Sequence, residues 1–243
     1  MLKKLKLFKA NFFLLAFFIS IQVNGQTPGL GTWNVINGKF TFNNKWSTFF
    51  EAQARSQKFY YDFHYHEYKG GIGYNFRKQL SVVVAMGQYV TYSPDANFKT
   101  VQTSEFRTWQ QFTVTNDIDR VKLEHRYRVE QRFFSSGFRN RFRYRVNAIL
   151  PLNKREVETN TVYLNSFNEI FLNNRKPHFE RNRFFLGVGY QFSELFTLQS
   201  GYLRQYDYRA DGAGTVKDYF QTSLLFSINE SRSERGRRPG SVD

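Results

Sequence analysis

Between Asp119 and Leu150 this 243-residue chain holds its densest run of side chains able to do chemistry. Lys122, Glu124, Arg126, Arg128, Glu130 and Arg132 alternate with Leu123, His125, Tyr127, Val129, Gln131 and Phe133. Arg139, Arg141, Arg143 and Arg145 then alternate with Asn140, Phe142, Tyr144 and Val146. Guanidinium groups in such rows can clasp carboxylates or other oxyanions, or line a path that favours anions. The period of two belongs to β-strands with one polar and one apolar face. The linking Ser135-Ser136-Gly137-Phe138 suits a hairpin turn. A two-residue turn at Ser136-Gly137 sets Glu130 opposite Arg143, and a shift of one two-residue step still leaves an arginine opposite Glu130.

Other candidate chemistry is sparse. His64, His66, His125 and His178 are the only histidines. His64 and His66 fall on one strand face, a spacing open to metal ligation or to anchoring at an interface. No carboxylate stands beside them and aromatics surround them, which favours anchoring. His125 and Ser166 both fall on apolar strand faces, the residue pair that a lipid hydrolase on a barrel exterior would need, but nothing in the sequence brings them together. No catalytic residue, metal ligand or cofactor is therefore assigned, and the chain is not expected to be an enzyme.

The elements that must position the charged rows follow from the same alternation. Strand-like segments run from Gly31 to Phe42, Trp46 to Arg55, His64 to Phe76, Leu80 to Tyr92, Thr100 to Thr115, the two rows above, Thr161 to Leu172, Glu180 to Phe192, Leu195 to Tyr208 and Lys217 to Ile228. Tight turns near Asn43, Lys78, Asp117 and Ser193 alternate with longer loops near Pro94, Asn174 and Gly212. Pro151 to Asn160 breaks this order, being long on the side of the short turns. Aromatics make up 19% of the chain, with 28 Phe and 15 Tyr, yet mean hydropathy is −0.57. That combination suits two-faced strands better than a packed soluble core. The basic opening (Lys3, Lys4, Lys6, Lys9), the apolar run Ala10 to Ile21 and the small residue Gly25 read as an export signal over residues 1–25. The apolar run is too short for a bilayer-spanning helix. There is no cysteine, so an exported fold must hold without disulfides.

Together these features predict an all-β, antiparallel up-and-down transmembrane β-barrel over residues 26–229, followed by a disordered periplasmic tail over 230–243. Closed barrels are the form in which strands cross a membrane. Eleven segments are visible, but bacterial single-chain barrels usually have an even count, so about 12 strands are expected, with 10 as the alternative. Trp33, Trp46, Tyr60, Tyr61, Tyr89, Tyr92, Tyr206 and Tyr208 fall near strand ends, where barrels carry aromatic girdles.

Leu30-Gly31-Thr32-Trp33-Asn34, Phe50-Glu51-Ala52-Gln53 and His64-Tyr65-His66-Glu67-Tyr68-Lys69-Gly70-Gly71 resemble motifs of the domain-of-unknown-function family 2490. So do Glu105-Phe106-Arg107-Thr108-Trp109 and His125-Arg126-Tyr127-Arg128-Val129-Glu130-Gln131-Arg132-Phe133. The resemblance covers nearly all of the chain after the export signal, in order and with similar spacing. It implies an outer-membrane β-barrel of a Gram-negative bacterium. It carries no activity and no site residues.

The polar parity of the strands predicts an Arg/Glu-rich lumen. Its expected bases are Arg55, Lys69, Arg107, Lys122, Arg126, Arg128, Arg132, Arg139, Arg141, Arg143, Arg145, Arg181, Arg183 and Arg204. Its expected acids are Glu51, Glu67, Glu105, Glu124, Glu130 and Glu169. Fourteen bases against six acids cannot all sit dry and paired, because a buried charge without a partner costs several kcal/mol. A narrow anion-favouring channel or an anion-binding barrel is the leading expectation. A closed structural or adhesive barrel is the alternative, and a lipid-modifying enzyme the second. Expected partners are outer-membrane lipid and lipopolysaccharide, the barrel-assembly machinery and small anionic solutes. A pI near 10 also fits nucleic-acid binding, but the export signal and the confinement of Arg to one strand face exclude nucleic acid as a partner.

Overall fold

The computed structural model describes residues 29–42, 45–94 and 96–229. The expected signal over 1–25, the tail over 230–243 and Asn43-Asn44 of the first turn lie outside the described residues. Eleven strands follow one another: β1 (Gly31–Thr41), β2 (Trp46–Lys58), β3 (Tyr61–Arg77), β4 (Leu80–Tyr92), β5 (Val101–Ile118), β6 (Val121–Phe134), β7 (Gly137–Pro151), β8 (Thr161–Asn173), β9 (Phe179–Gln191), β10 (Phe196–Tyr208) and β11 (Gly214–Asn229). Each pairs antiparallel with the next, and the sheet closes where β1 meets β11.

That seam corrects the expected count of twelve or ten. β1 and β11 run parallel, Gly31 opposite Tyr219 and Thr41 opposite Asn229. An even count is required only if closure must be antiparallel. A parallel ladder also pairs every backbone group along the seam, so the eleven segments read from the alternation are sufficient. The register of the β6–β7 hairpin moves too. Ser135-Ser136 form its turn, Phe134 lies opposite Gly137, and Glu130 opposite Arg141 rather than Arg143. Gly137 has φ of 128°, a value available to glycine, and it starts β7 instead of occupying the turn.

We call the end bearing the β6–β7 turn the upper end. It also carries the β2–β3, β4–β5, β8–β9 and β10–β11 connections. The 152–160 connection between β7 and β8 is at the lower end.

Along every strand the inward residues are the buried ones. One wall, from β1 and β8 to β11, is apolar inside: Trp33, Val35, Phe167, Phe185, Leu203, Tyr219 and Leu225 form one cluster. Tyr65, Ala85, Tyr89 and Trp109 form a second on the opposite wall. Trp33 and Tyr89 are thus lumen residues, not girdle residues. Small inward residues make room for these rings. A Cβ on Gly189 would fall 2.0 Å from the ring of Tyr163, which lies across it from the neighbouring strand.

The outer face is apolar. Ile36, Ile72, Val84, Met86, Leu186 and Val188 are exposed around its middle. Aromatics bracket them in two belts. The lower belt has Trp46–Tyr74–Phe76 and Tyr190–Phe192–Phe196–Phe226. The upper has Phe59–Tyr60, Phe106–Phe133–Phe138 and Phe179–Tyr208–Tyr206.

Three bulges near the upper end break the alternation, one of them at Gln102 on β5. β3 carries one extra residue, His64, between the pairs Phe63–Ser56 and Tyr65–Arg55. β9 carries another, Glu180, between Phe179–Leu172 and Arg181–Phe171. A bulge sets two consecutive side chains on roughly the same side. His64 joins Tyr65 at the inner cavity, whereas His66 stays outside against Tyr68, Tyr92 and Phe98. The two histidines do not share a face.

Candidate functional site

The lumen has three levels. Its floor, at the lower end, is the 152–160 connection folded inward. Val157 is fully buried against Ile149 and Tyr163. Arg120 holds the segment by donating from Nη2 to the carbonyls of Pro151, Leu152 and Lys154, at 2.8, 3.3 and 2.5 Å. The anomalous length of this connection is explained by its packing: it fills the barrel end.

The middle level is a charged clasp. Glu130 takes Arg141 Nη2 at 2.5 Å on one oxygen and Arg143 on the other. Glu169 takes Arg126 Nη2 at 2.6 Å and Arg143 Nη2 at 2.8 Å. Arg145 reaches Glu124 at 3.6 Å, and Lys69 reaches Glu51 at 2.7 Å. Arg128 donates from Nε to Gln111 Oε1 at 3.0 Å. The guanidinium carbons of Arg143, Arg145 and Arg128 lie 4.5, 5.2 and 5.0 Å from the ring centres of Phe171, Phe167 and Trp109. Glu130, Glu169, Arg126 and Arg145 are at most 1% exposed. Ion pairs and rings crowd this level. Pairs this deeply buried hold only when geometry and further hydrogen bonds offset desolvation; both carboxylates here accept from two guanidinium groups, while Nε of Arg126 and of Arg145 has no hydrogen-bond partner.

Above the clasp lies a cavity of about 200 Å³. Arg55 is held between rings, its Cζ 3.4 Å from the centre of Trp33 and 4.0 Å from that of Tyr65, with Nη2 3.1 Å from Glu67. Arg107 lies 3.7 Å over Tyr89 and pairs with Glu105 at 2.5 Å. Arg132 shares Glu105 at 2.8 Å, and together with Arg141 takes Glu180 at 3.3 and 3.1 Å. On the far wall Arg181 and Lys217 both pair with Asp207, and Arg183 donates from Nε to Gln205 Oε1 at 2.8 Å. A second hollow of about 260 Å³, bordered by Gln57, Pro94 and Gln102, shares His64, Thr91, Lys217 and Tyr219 with the first.

The structure therefore places Glu51, Arg55, Glu67, Lys69, Glu105, Arg107, Glu124, Arg126, Arg128, Glu130, Arg132, Arg141, Arg143, Arg145, Glu169, Arg181 and Arg183 inside. Lys122 and Arg139 stand at the lower and upper rims on the same parity. Arg204 does not belong with them. It sits between inward Leu203 and Gln205, points outward, and meets Asp218 Oδ1 at 2.8 Å on the outer face. The poor alternation of β10 hid that inversion. Lumen groups absent from the sequence reading are Glu180 and His64, which bulges turn inward, and Gln205, Asp207 and Lys217. The last three lie on the β10–β11 edge of the cavity, where Asp207 and Lys217 share the inward parity of Leu203 and Tyr219. That parity was the one signal for them.

Neither enzyme pair assembles. His125 Nδ1 meets Tyr144 Oη at 2.9 Å. Ser166 lies opposite Ala148 on β7 and Leu186 on β9, on a strand not adjacent to that of His125. Among the described residues no group of three His, Cys, Asp or Glu could hold a metal ion.

No curated protein and no solved structure matches the chain. The model of a family described as protein of unknown function, DUF2490, matches residues 30–216, which span all but the end of the barrel, and the chain belongs to that family.

Proposed function

We propose that this protein is an outer-membrane β-barrel that binds small anionic solutes in a blind basic vestibule and does not conduct through its length. Support for a membrane setting comes from the outer face. Its strands are 11 to 18 residues long, enough for tilted transmembrane strands of about 9 to 11. The apolar band lies between two aromatic belts, the arrangement that lipid and its two interfaces select. Polar groups on this face satisfy one another across strands. Gln110 and Gln131 exchange a bond of 3.0 Å, Gln88 donates to Ser104 at 2.7 Å, and Asn182 donates to Asn168 at 3.1 Å. That pairing limits the cost of apolar surroundings. The upper end carries the longer open loops and faces outward in this reading.

The observation that carries solute binding is the uneven sharing of carboxylates around the upper cavity. Asp207 serves both Arg181 and Lys217, and Glu105 serves both Arg107 and Arg132. The packed clasp beneath supports binding over passage. Planar-bilayer recording tests the reading: the barrel is expected to insert without steady conductance, and stable ohmic steps would overturn the blind vestibule. No catalytic step is assigned to it.

A further inference from the structure

The structure assigns the Arg183 side of this vestibule as a receptor for a phosphomonoester dianion on a small polar body, an inference that rests on the anion-binding reading above. Arg183 is 6% exposed, yet no carboxylate among the described residues lies within ion-pairing distance of it. Among the described residues its hydrogen-bond partner is Gln205 Oε1, at 2.8 Å. The same Gln205 donates from Nε2 to both oxygens of Asp207 at 3.0 and 2.9 Å, and Asp207 in turn holds Arg181 and Lys217, the latter at 3.3 Å. One hydrogen-bonded network thus joins three cations to a single carboxylate. Glu169, directly opposite Arg183 on β8, is held by Arg126 and Arg143, and Glu180 is engaged by Arg132 and Arg141.

Two positive charges remain in one network, and they face the same cavity. A carboxylate ligand would neutralise one of them. A phosphomonoester, with a charge of about −1.5 to −2 near neutral pH and three acceptor oxygens, matches both the charge and the donors. Arg183 is pre-set for it, its Cζ 4.8 Å from the centre of Trp33 and 4.7 Å from that of Phe171. His64 lines the same space with a buried Nδ1 that has no hydrogen-bond partner, and can donate to a phosphoryl oxygen. The volume of about 200 Å³ suits a group the size of a sugar phosphate with part of its body in the mouth.

The test is calorimetric titration of the full barrel in a nonionic detergent, with glucose 6-phosphate, glucuronate and glucose as separate titrants. Glucose 6-phosphate is expected to bind about tenfold or more tighter than glucuronate, and glucose not to bind, since hydrogen bonds between charged groups are roughly twice as strong as neutral ones. Arg183→Gln is expected to weaken the phosphate ester by about tenfold or more. Lys217→Gln, at the exposed rim where folding is not at stake, should weaken it by a smaller factor. Arg204→Gln, on the outer face, should leave it unchanged. Equal affinity for glucuronate and glucose 6-phosphate would overturn the dianion assignment while leaving an anion-binding barrel. Unaltered phosphate binding in both Arg183→Gln and Lys217→Gln would also overturn it. Failure of every anion to bind would sink both readings. Phosphatidic acid in the same detergent separates the sources: displacement of glucose 6-phosphate assigns a lipid headgroup, and no displacement assigns a free phosphate ester.

Discussion

Glu130 and Asp207 stand at the centres of two arginine clusters in one lumen, and the clusters behave differently. Around Glu130 and Glu169, Arg141 sits on the first, Arg126 on the second and Arg143 bridges both, with the Phe171 ring against Arg143. Around Asp207 one carboxylate is divided between Arg181 and Lys217, and Arg183 has none. The same residue types therefore make a paired cluster in the first place and, in the reading proposed above, a receptor in the second. What separates them is the ratio of acid to base and the access of the cavity, not the number of arginines.

The largest expected break in that comparison is Arg141→Gln. It leaves Glu130 in the clasp and Glu180 above it each short of a partner and should cost about 3–5 kcal/mol, read as an earlier loss of the compact, fast-migrating band when the barrel is heated in detergent before electrophoresis. Arg183→Gln removes a buried cation that is in no ion pair, and Glu169 opposite it keeps Arg126 and Arg143. Its stability should stay within about 1 kcal/mol of the parent in the same assay, and a drop as large as that of Arg141→Gln would show the two clusters to be equivalent.

A smaller effect separates clasp from floor. Val157→Ala trims the plug against Ile149 and Tyr163 and should cost about 1–2 kcal/mol in the same melting assay. Deleting residues 153–159 opens the lower end but leaves the clasp, so bilayer recordings should still show no steady conductance. Conductance in that deletion would move the barrier from the clasp to the loop. The smallest effect belongs to Arg204→Gln. Its pair with Asp218 is on the outer face with the Arg204 side chain 41% exposed, and the cost should be about 0–1 kcal/mol.

Much of this architecture was legible from the alternation of single residues. Lys122 to Arg132 and Arg139 to Arg145 read as a polar strip facing an apolar one, and they form adjacent strands whose charged faces point inward. The expectation failed where parity is interrupted or where partners matter. His64 and Glu180 turned inward because bulges insert one residue, and nothing in Phe63-His64-Tyr65 or Phe179-Glu180-Arg181 announces the insertion. Trp33 and Tyr89 looked like girdle residues because they lie near strand ends, but they share the inward parity of Val35 and Gly87. Arg204 was placed inside because β10 mixes polar and apolar residues on both faces.

The sequence by itself determined which segments are strands and, for most of them, which face is charged, because side chains along a strand alternate with a period of two whatever the neighbours do; its expected count of twelve or ten was not the one the barrel uses. Only the tertiary structure decided that eleven close through a parallel seam, that Glu130 lies opposite Arg141, and that Arg183 stands beside Gln205 with no carboxylate of its own. A period of two names a face but not a partner. Partners depend on register, register is set by turns, bulges and closure of the whole hydrogen-bonded cylinder, and so the charge ratio at any one point of the lumen exists only once the barrel has closed.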